Sequence, residues 1–106
     1  MILFFRDKIK GLRQASFSKA ELSLILGVYS RRVQRGEWRD YAIDCKSDMA
    51  LFSVFRSARE QPLYMIAKFP SRSILKPAQY AVFSGQERLK ESASLGEVLS
   101  VFEDLA

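Results

Sequence analysis

The sequence predicts an α+β fold, in which an antiparallel sheet of about four strands is flanked by an N-terminal and a C-terminal helix. Two observations predict it. Apolar residues recur at helical spacing in two segments, and each segment follows a serine suited to cap a helix. Between these segments lie short apolar or alternating runs that polar turns separate. The predicted order is therefore helix, strands, helix.

The length and composition favour one domain. The chain has 106 residues, of which 48% are hydrophobic and 12% aromatic, so a core large enough to fold alone is expected. We therefore predict a single globular domain over residues 1–106. Within it, residues 1–15 are interpreted separately, because the apolar run Met1–Phe5 suits either an extra strand or an arm laid on the body or on a partner chain.

Residues 17–35 carry the clearest helix pattern. Ser18 and Glu21 have the spacing of a capping box, and Gly36 is placed to take the left-handed closing position. An apolar stripe at helical spacing lies between them. It consists of Leu22, Ile25, Leu26, Tyr29 and Val33.

The middle of the chain reads as strands. The predicted strands are Tyr41–Cys45, Met49–Phe55, Leu63–Phe69 and Tyr80–Phe83, with the polar Gln86–Glu91 as a candidate fifth strand at an edge. The first two flank the turn Lys46-Ser47-Asp48 and predict a hairpin. The second strand is apolar on both faces, with Leu51 and Phe55 on one side and Phe52 and Val54 on the other. Strands of that kind are usually covered on both sides.

The last segment, Ser94–Leu105, predicts a second helix. Ser94 and Glu97 repeat the capping-box spacing. Leu95, Val98, Leu99, Phe102 and Leu105 make its apolar stripe.

Several classes of chemistry are excluded by composition. The chain has no histidine and one cysteine, Cys45, so His-containing triads and cysteine-based zinc sites are ruled out. Its glycines form no phosphate-cradling loop. We therefore expect no enzymatic activity, no cofactor and no metal.

The same composition bears on location. A single cysteine excludes an intrachain disulfide and favours a reducing compartment. The first residues lack the pattern of a signal peptide, and no stretch approaches the ~18 apolar residues of a membrane span. A cytoplasmic location without a membrane span is expected.

The net charge of +5 leaves two hypotheses for function. The first is a non-enzymatic protein-interaction or accessory module whose partner is another protein or a second copy of the chain. Trp38, Arg39 and Tyr41 would be its recognition anchors, because an exposed Trp beside Arg is typical of a binding hot spot. Unpaired edge strands and the apolar Ile2–Phe5 would supply a dimer surface. The alternative interpretation of Trp38 is that it anchors the helix–strand turn against the core.

The second hypothesis is a nucleic-acid-binding, regulatory protein. It rests on arginines that would contact phosphates if the helix end and the loop Arg56–Pro62 share one end of the domain. These arginines are Arg31, Arg32, Arg35, Arg39, Arg56 and Arg59.

Three segments of the sequence also resemble those of a known protein family. The segments Gly36–Tyr41 (GEWRDY), Phe52–Arg56 (FSVFR) and Arg59–Tyr64 (REQPLY) are its most specific parts. Over Phe17–Lys68 the chain resembles a family of short alphaproteobacterial proteins catalogued as a domain of unknown function. The resemblance implies a bacterial cytoplasmic protein, and it implies no activity, cofactor or catalytic residue.

Overall fold

The computed structural model describes residues 14–57, 61–71 and 75–104, and these form an α+β fold. Predictions that concern Met1–Phe5, Arg59 and Leu105 lie outside the described residues. The elements in chain order are α1 (Lys19–Gln34), β1 (Asp40–Cys45), β2 (Ala50–Phe55), β3 (Tyr64–Phe69), β4 (Gln79–Ser84), β5 (Glu87–Ser92), α2 (Leu95–Leu99) and α3 (Val101–Asp104). The predicted order of helix, strands and helix is confirmed.

Helix α1 begins and ends at the predicted signals. The Ser18 hydroxyl accepts a hydrogen bond from the Glu21 backbone N–H at 3.1 Å, and the Ser18 N–H donates to Glu21 Oε1 at 2.6 Å. This reciprocal capping box satisfies two backbone donors that the first helical turn would leave unpaired. At the other end, Gly36 has φ +75°, a conformation that glycine adopts without strain.

The sheet is an antiparallel meander in the order β1-β2-β3-β4-β5. The expectation of about four strands was wrong by one, because the polar candidate fifth strand pairs fully with β4. Gly85, at φ +63°, makes the two-residue connection to β5 with Gln86, and a register shift then brings Leu89 onto the core.

The single C-terminal helix predicted over Ser94–Leu105 is interrupted. Its first turn is capped as expected, with the Glu97 N–H donating to Ser94 Oγ at 3.2 Å. The Ser100 hydroxyl then donates to the Glu97 carbonyl at 2.7 Å, and the helix breaks at this residue into α2 and α3. A serine hydroxyl that bonds back to a carbonyl competes with the helical ladder.

The helices pack on one face of the sheet, here called the helix face. Phe52, Ile66 and Val82 on three adjacent strands are fully buried there, against Ile25 of α1 and Phe102 of α3. The opposite face, here called the second face, carries Leu51, Phe55, Met65, Phe69 and Phe83, all half-buried and outside this core cluster. Among the described residues, helices therefore cover the sheet on one side only.

Candidate binding site at the end of the first helix

The fold brings five of the predicted arginines to one end of the molecule. Arg31, Arg32 and Arg35 lie in and just after the last turn of α1. Arg39 precedes β1 and Arg56 follows β2, and the Arg39 N–H donates to the Phe55 carbonyl at 2.8 Å. This hydrogen bond holds the start of β1 and the end of β2 together beside the end of the helix. The sixth predicted arginine, Arg59, lies outside the described residues.

Three of these arginines line a groove between α1 and the C-terminal helices. We call it the arginine groove; its volume is about 470 Å³. Its charged residues are Arg31, Arg32, Arg35 and Glu103, and its apolar residues are Leu24, Val28, Leu99 and Phe102. Ser23 and Ser100 add two hydroxyls. The groove therefore combines cationic and apolar contact surface.

Two glycines open the arginine groove. Gly27 on α1 and Gly96 on α2 both line it. A Cβ built at Gly27 would have Arg31 Nη1 as its nearest neighbour, at 3.9 Å, and one built at Gly96 would meet only Ser94 Oγ at 3.9 Å. Neither glycine has a positive φ, so no backbone conformation requires glycine there. Their effect is to leave space that a larger side chain would occupy.

The groove arginines differ in their pairing. Arg32 is 7% exposed, and its Nη1 donates to Glu37 Oε1 at 2.7 Å. The backbone N–H groups of Glu37 and Trp38 also donate to the Arg32 carbonyl, so this residue closes the turn after α1. By contrast, within the described part of the chain neither Arg31 nor Arg35 has a carboxylate within 4.0 Å. Among the described residues, these two guanidinium groups therefore form no salt bridge.

The position of α1 is fixed at its other end by a charged cluster. Glu21 Oε1 accepts a hydrogen bond from Lys68 Nζ at 2.8 Å, and Tyr80 Oη donates to Glu21 Oε2. Lys68 Nζ also donates to the Ser16 carbonyl at 3.0 Å. Burial alone would raise the pKa of Glu21, but the hydrogen bonds from Lys68, Tyr80 and Ser18 outweigh it, so the pKa is lowered. Burial and the bond to Glu21 raise the pKa of Tyr80 to about 12.

A family model described as a protein of unknown function, DUF2794, matches residues 15–99. The chain belongs to this family. The match contains the whole Phe17–Lys68 span of the resemblance and continues through β4 and β5 to the end of α2. The alphaproteobacterial origin that the resemblance implies stays a prediction. Neither the comparison with curated proteins nor that with solved structures gives a match.

The three predicted anchors of this DUF2794 chain are in different environments. Trp38 is 5% exposed and packs on Phe102, with ring centroids 5.0 Å apart. Trp38 is therefore packed in the core, as in the alternative interpretation that it anchors the helix–strand turn, and it offers little surface to a partner. Arg39 is exposed, and Tyr41 is 47% exposed with its ring stacked on Phe52 at 4.8 Å. Recognition by Arg39 and Tyr41 stays a prediction.

Two smaller depressions adjoin the arginine groove. One, of about 200 Å³, lies between Arg32, Arg56 and Tyr64, and the other, of about 330 Å³, is lined by Arg39 and Arg56. Tyr29 braces this region, because its hydroxyl donates to the Arg39 carbonyl at 2.8 Å. Burial and the nearby Asp40 raise the pKa of Tyr29. The hydroxyl therefore remains a donor at neutral pH.

The described residues of this DUF2794 protein show no metal-binding constellation. No group of three His, Cys, Asp or Glu residues is close enough to hold an ion in the ranges that the structure describes. Across those same ranges, no helix combines the length and apolarity needed to cross a membrane.

Proposed function

We propose that this protein is a non-catalytic binding module whose arginine groove recognises an acidic, amphipathic segment of a partner protein. The observation that carries the proposal is the pairing of Arg31 and Arg35 with an apolar groove floor. Neither arginine has a carboxylate partner among the described residues. A partner's Asp or Glu side chains would supply one.

The geometry suits a helical ligand. Arg31 in the last turn of α1 and Arg35 at its C-cap are four residues apart, so their side chains lie on the same side of the helix end. The guanidinium groups suit bidentate pairing with carboxylates. Leu24, two turns before Arg31 in the same groove, is 53% exposed and would bury its side chain against an apolar ligand residue. An amphipathic helix laid in a groove makes both kinds of contact at once.

The alternative hypothesis is nucleic-acid binding through Arg31, Arg32, Arg35, Arg39 and Arg56, with the exposed ring of Tyr41 as a stacking surface. Two features favour the protein partner over it. Arg32 is neutralised by Glu37 and is nearly buried, which removes one phosphate contact from the patch. The exposed Leu24 has no role in contacting a phosphate backbone.

The experiment is a fluorescence-anisotropy titration of the full chain against a labelled model peptide with leucines on one helical face and glutamates on the others. We expect saturable binding that persists at moderate salt, because apolar contacts carry part of the affinity. Arg31→Ala/Arg35→Ala should lose the binding. The matched control is Lys19→Ala/Arg88→Ala, which removes the same charge away from the groove and should bind as the wild type does.

A second variant separates shape from charge. Gly27→Leu retains every arginine but fills the space over the groove floor, so it should also lose peptide binding. Equal affinity of the wild type and both groove variants would overturn the proposal. Binding of a single-stranded RNA probe in place of the peptide, with affinity that falls steeply as salt rises, would support the alternative.

A further inference from the structure

Two arginines face each other at the open end of the β1–β2 hairpin. The register that pairs Asp40 with Phe55 places Arg39 opposite Arg56, one residue beyond the last pair of the strands. Side chains that lie opposite each other on antiparallel strands project to the same side of the sheet. Both arginines line the depression of about 330 Å³ beside the end of α1. We call this depression the hairpin pocket.

The guanidinium groups of the hairpin pocket are not neutralised by the described residues. Within that part of the chain, neither Arg39 nor Arg56 has a carboxylate within 4.0 Å. Glu37 lines the same pocket, but its carboxylate already accepts a hydrogen bond from Arg32 at 2.7 Å. Like charges directly opposite each other on two strands destabilise the pairing. An anion bound between the two arginines would remove this repulsion.

Trp38 adds a neutral donor to the hairpin pocket. Its side chain lines the pocket and is 5% exposed. Among the residues that the structure describes, the indole N–H forms no hydrogen bond, and no side-chain nitrogen without a partner is sealed from solvent. The indole nitrogen therefore reaches solvent, although nearly all of the ring is buried. Buried tryptophans usually find a partner for this N–H, and here a bound ligand would supply it.

The smaller depression, of about 200 Å³, offers apolar surface next to the same groups. Trp38 and Arg56 line both depressions, and Leu63, Tyr64 and Phe102 complete the apolar and aromatic lining of the smaller one. In the two linings together, three arginines stand against one glutamate, so two positive charges are unbalanced. A phosphomonoester carries about 1.5–2 negative charges at neutral pH, whereas a carboxylate or a phosphodiester carries one.

We propose that the hairpin pocket binds an aryl phosphomonoester. The phosphate lies between Arg39 and Arg56 and accepts a hydrogen bond from the Trp38 indole N–H, while the aryl group packs in the smaller depression. The planar guanidinium fork matches the spacing of phosphate oxygens. Arg31 and Arg35 line the arginine groove and neither depression, so this site does not depend on the function proposed for the groove.

The test uses the indole N–H resonance of the nitrogen-labelled full chain, which has a single tryptophan and therefore a single such resonance. The probe is phenyl phosphate, titrated at neutral pH. We expect a saturable downfield shift of the indole proton as its N–H bonds to the phosphate. Benzoate and diphenyl phosphate, each with one negative charge, should bind more weakly. An indole resonance that phenyl phosphate leaves in place would overturn the proposal.

A pair of matched variants assigns the charge. Arg39→Gln/Arg56→Gln should lose the shift, and retained amide resonances of the central strands would show that this variant folds. The control is Arg31→Gln/Arg35→Gln, which removes the same charge from the arginine groove and should bind phenyl phosphate as the wild type does. Equal binding by both variants would overturn the proposal. Preference of the wild type for diphenyl phosphate would overturn it in favour of a phosphodiester such as a nucleic-acid backbone.

Trp38→Phe tests the neutral donor, because it retains an aromatic ring against Phe102 but removes the N–H. Its affinity for phenyl phosphate, followed at the Gly36 amide, should fall about tenfold, as expected for one hydrogen bond to a charged group. Unchanged affinity would overturn the assigned hydrogen bond. A phosphotyrosine peptide distinguishes the source of the ligand: tighter binding than that of phenyl phosphate would support a phosphorylated protein, and weaker binding a small molecule.

Discussion

Replacing Glu21 by Gln should destabilise the protein, because it removes the charge that joins α1 to β3 and β4. The side chains of Glu21 and Lys68 are each 16% exposed, so the pair is largely shielded from water. Breaking a buried pair costs about 3–5 kcal/mol, and an unmade hydrogen bond to a charged group about 1.5–3 kcal/mol. Lys68 retains the Ser16 carbonyl as an acceptor. We therefore expect a loss of about 2–3 kcal/mol in the free energy of unfolding.

The dependence on pH has a defined sign. The folded pKa of Glu21 lies below its unfolded value, so the carboxylate stabilises the fold fully above the unfolded pKa. This contribution declines as the pH falls through the folded pKa. The gap in stability between the wild type and Glu21→Gln should therefore be largest near neutrality and narrow below about pH 4.3, the ordinary pKa of glutamate.

Urea denaturation followed by Trp38 fluorescence measures this gap, because Trp38 is the only tryptophan and is 5% exposed in the folded state. Lys68→Met and the double variant Glu21→Gln/Lys68→Met complete a double-mutant cycle. The loss of stability in the double variant should be smaller than the sum of the losses in the two single variants. Each single substitution leaves the remaining charged side chain without its ionic partner. Equal stability of the wild type and Glu21→Gln at neutral pH would show that the Glu21 charge does not stabilise the fold, as would a stability difference that stays constant into acid.

Three further substitutions are read by the same assay. Tyr80→Phe should lower stability by about 1–2 kcal/mol, because Glu21 loses a hydrogen-bond donor. Since the pKa of Tyr80 is raised to about 12, this gap should be complete below the ordinary tyrosine pKa of about 10 and shrink as the pH rises towards 12. Gly27→Ala should raise stability by about 0.5–1 kcal/mol, because its Cβ meets only Arg31 Nη1 at 3.9 Å; a loss would show that the space is not free. Gly36→Ala should lower it by about 1–2 kcal/mol because of the φ of +75°, and a neutral result would contradict the left-handed cap.

The helix caps and strands were predictable because their signals are local. The Ser18–Glu21 capping box and Gly36 are encoded within a few residues of the ends that they define. The predicted strands match the observed ones to within one residue at each end, since apolar runs and polar turns alternate sharply. The break at Ser100 was missed, because a serine hydroxyl bonding to a carbonyl leaves the apolar stripe intact.

The prediction of which residue near the end of α1 is buried was wrong, because a tertiary contact decides it. Val33 was placed on the apolar stripe, but it is 38% exposed, and Arg32 is buried in its stead. The cause is Glu37, which lies beyond the helix and reaches the Arg32 guanidinium only after the chain has turned at Gly36. A prediction from helical periodicity places every arginine on the exposed face, so it could not identify Arg32 as buried.

The arginine groove depends on contacts between distant segments. Gly27 and Gly96 are unremarkable in the sequence, and they line one groove only because α2 packs beside α1. Sequence spacing alone does not determine whether the arginines meet, because they lie on separate elements. The β1–β2 hairpin brings Arg39 and Arg56 to the end of α1, and this follows from the pairing of Asp40 with Phe55.

Amide chemical-shift mapping of the full chain is the decisive experiment for the proposal that the groove between α1 and α2 is the binding surface. The probe is the leucine- and glutamate-rich peptide, titrated against the isotope-labelled protein. If the groove binds the peptide, the largest shifts will fall on both of its walls, at Gly27 on α1 and at Gly96 on α2, and Arg31→Ala/Arg35→Ala will abolish them. Shifts confined to β1 and the Arg39–Arg56 depression, or unaltered in that variant, would contradict it.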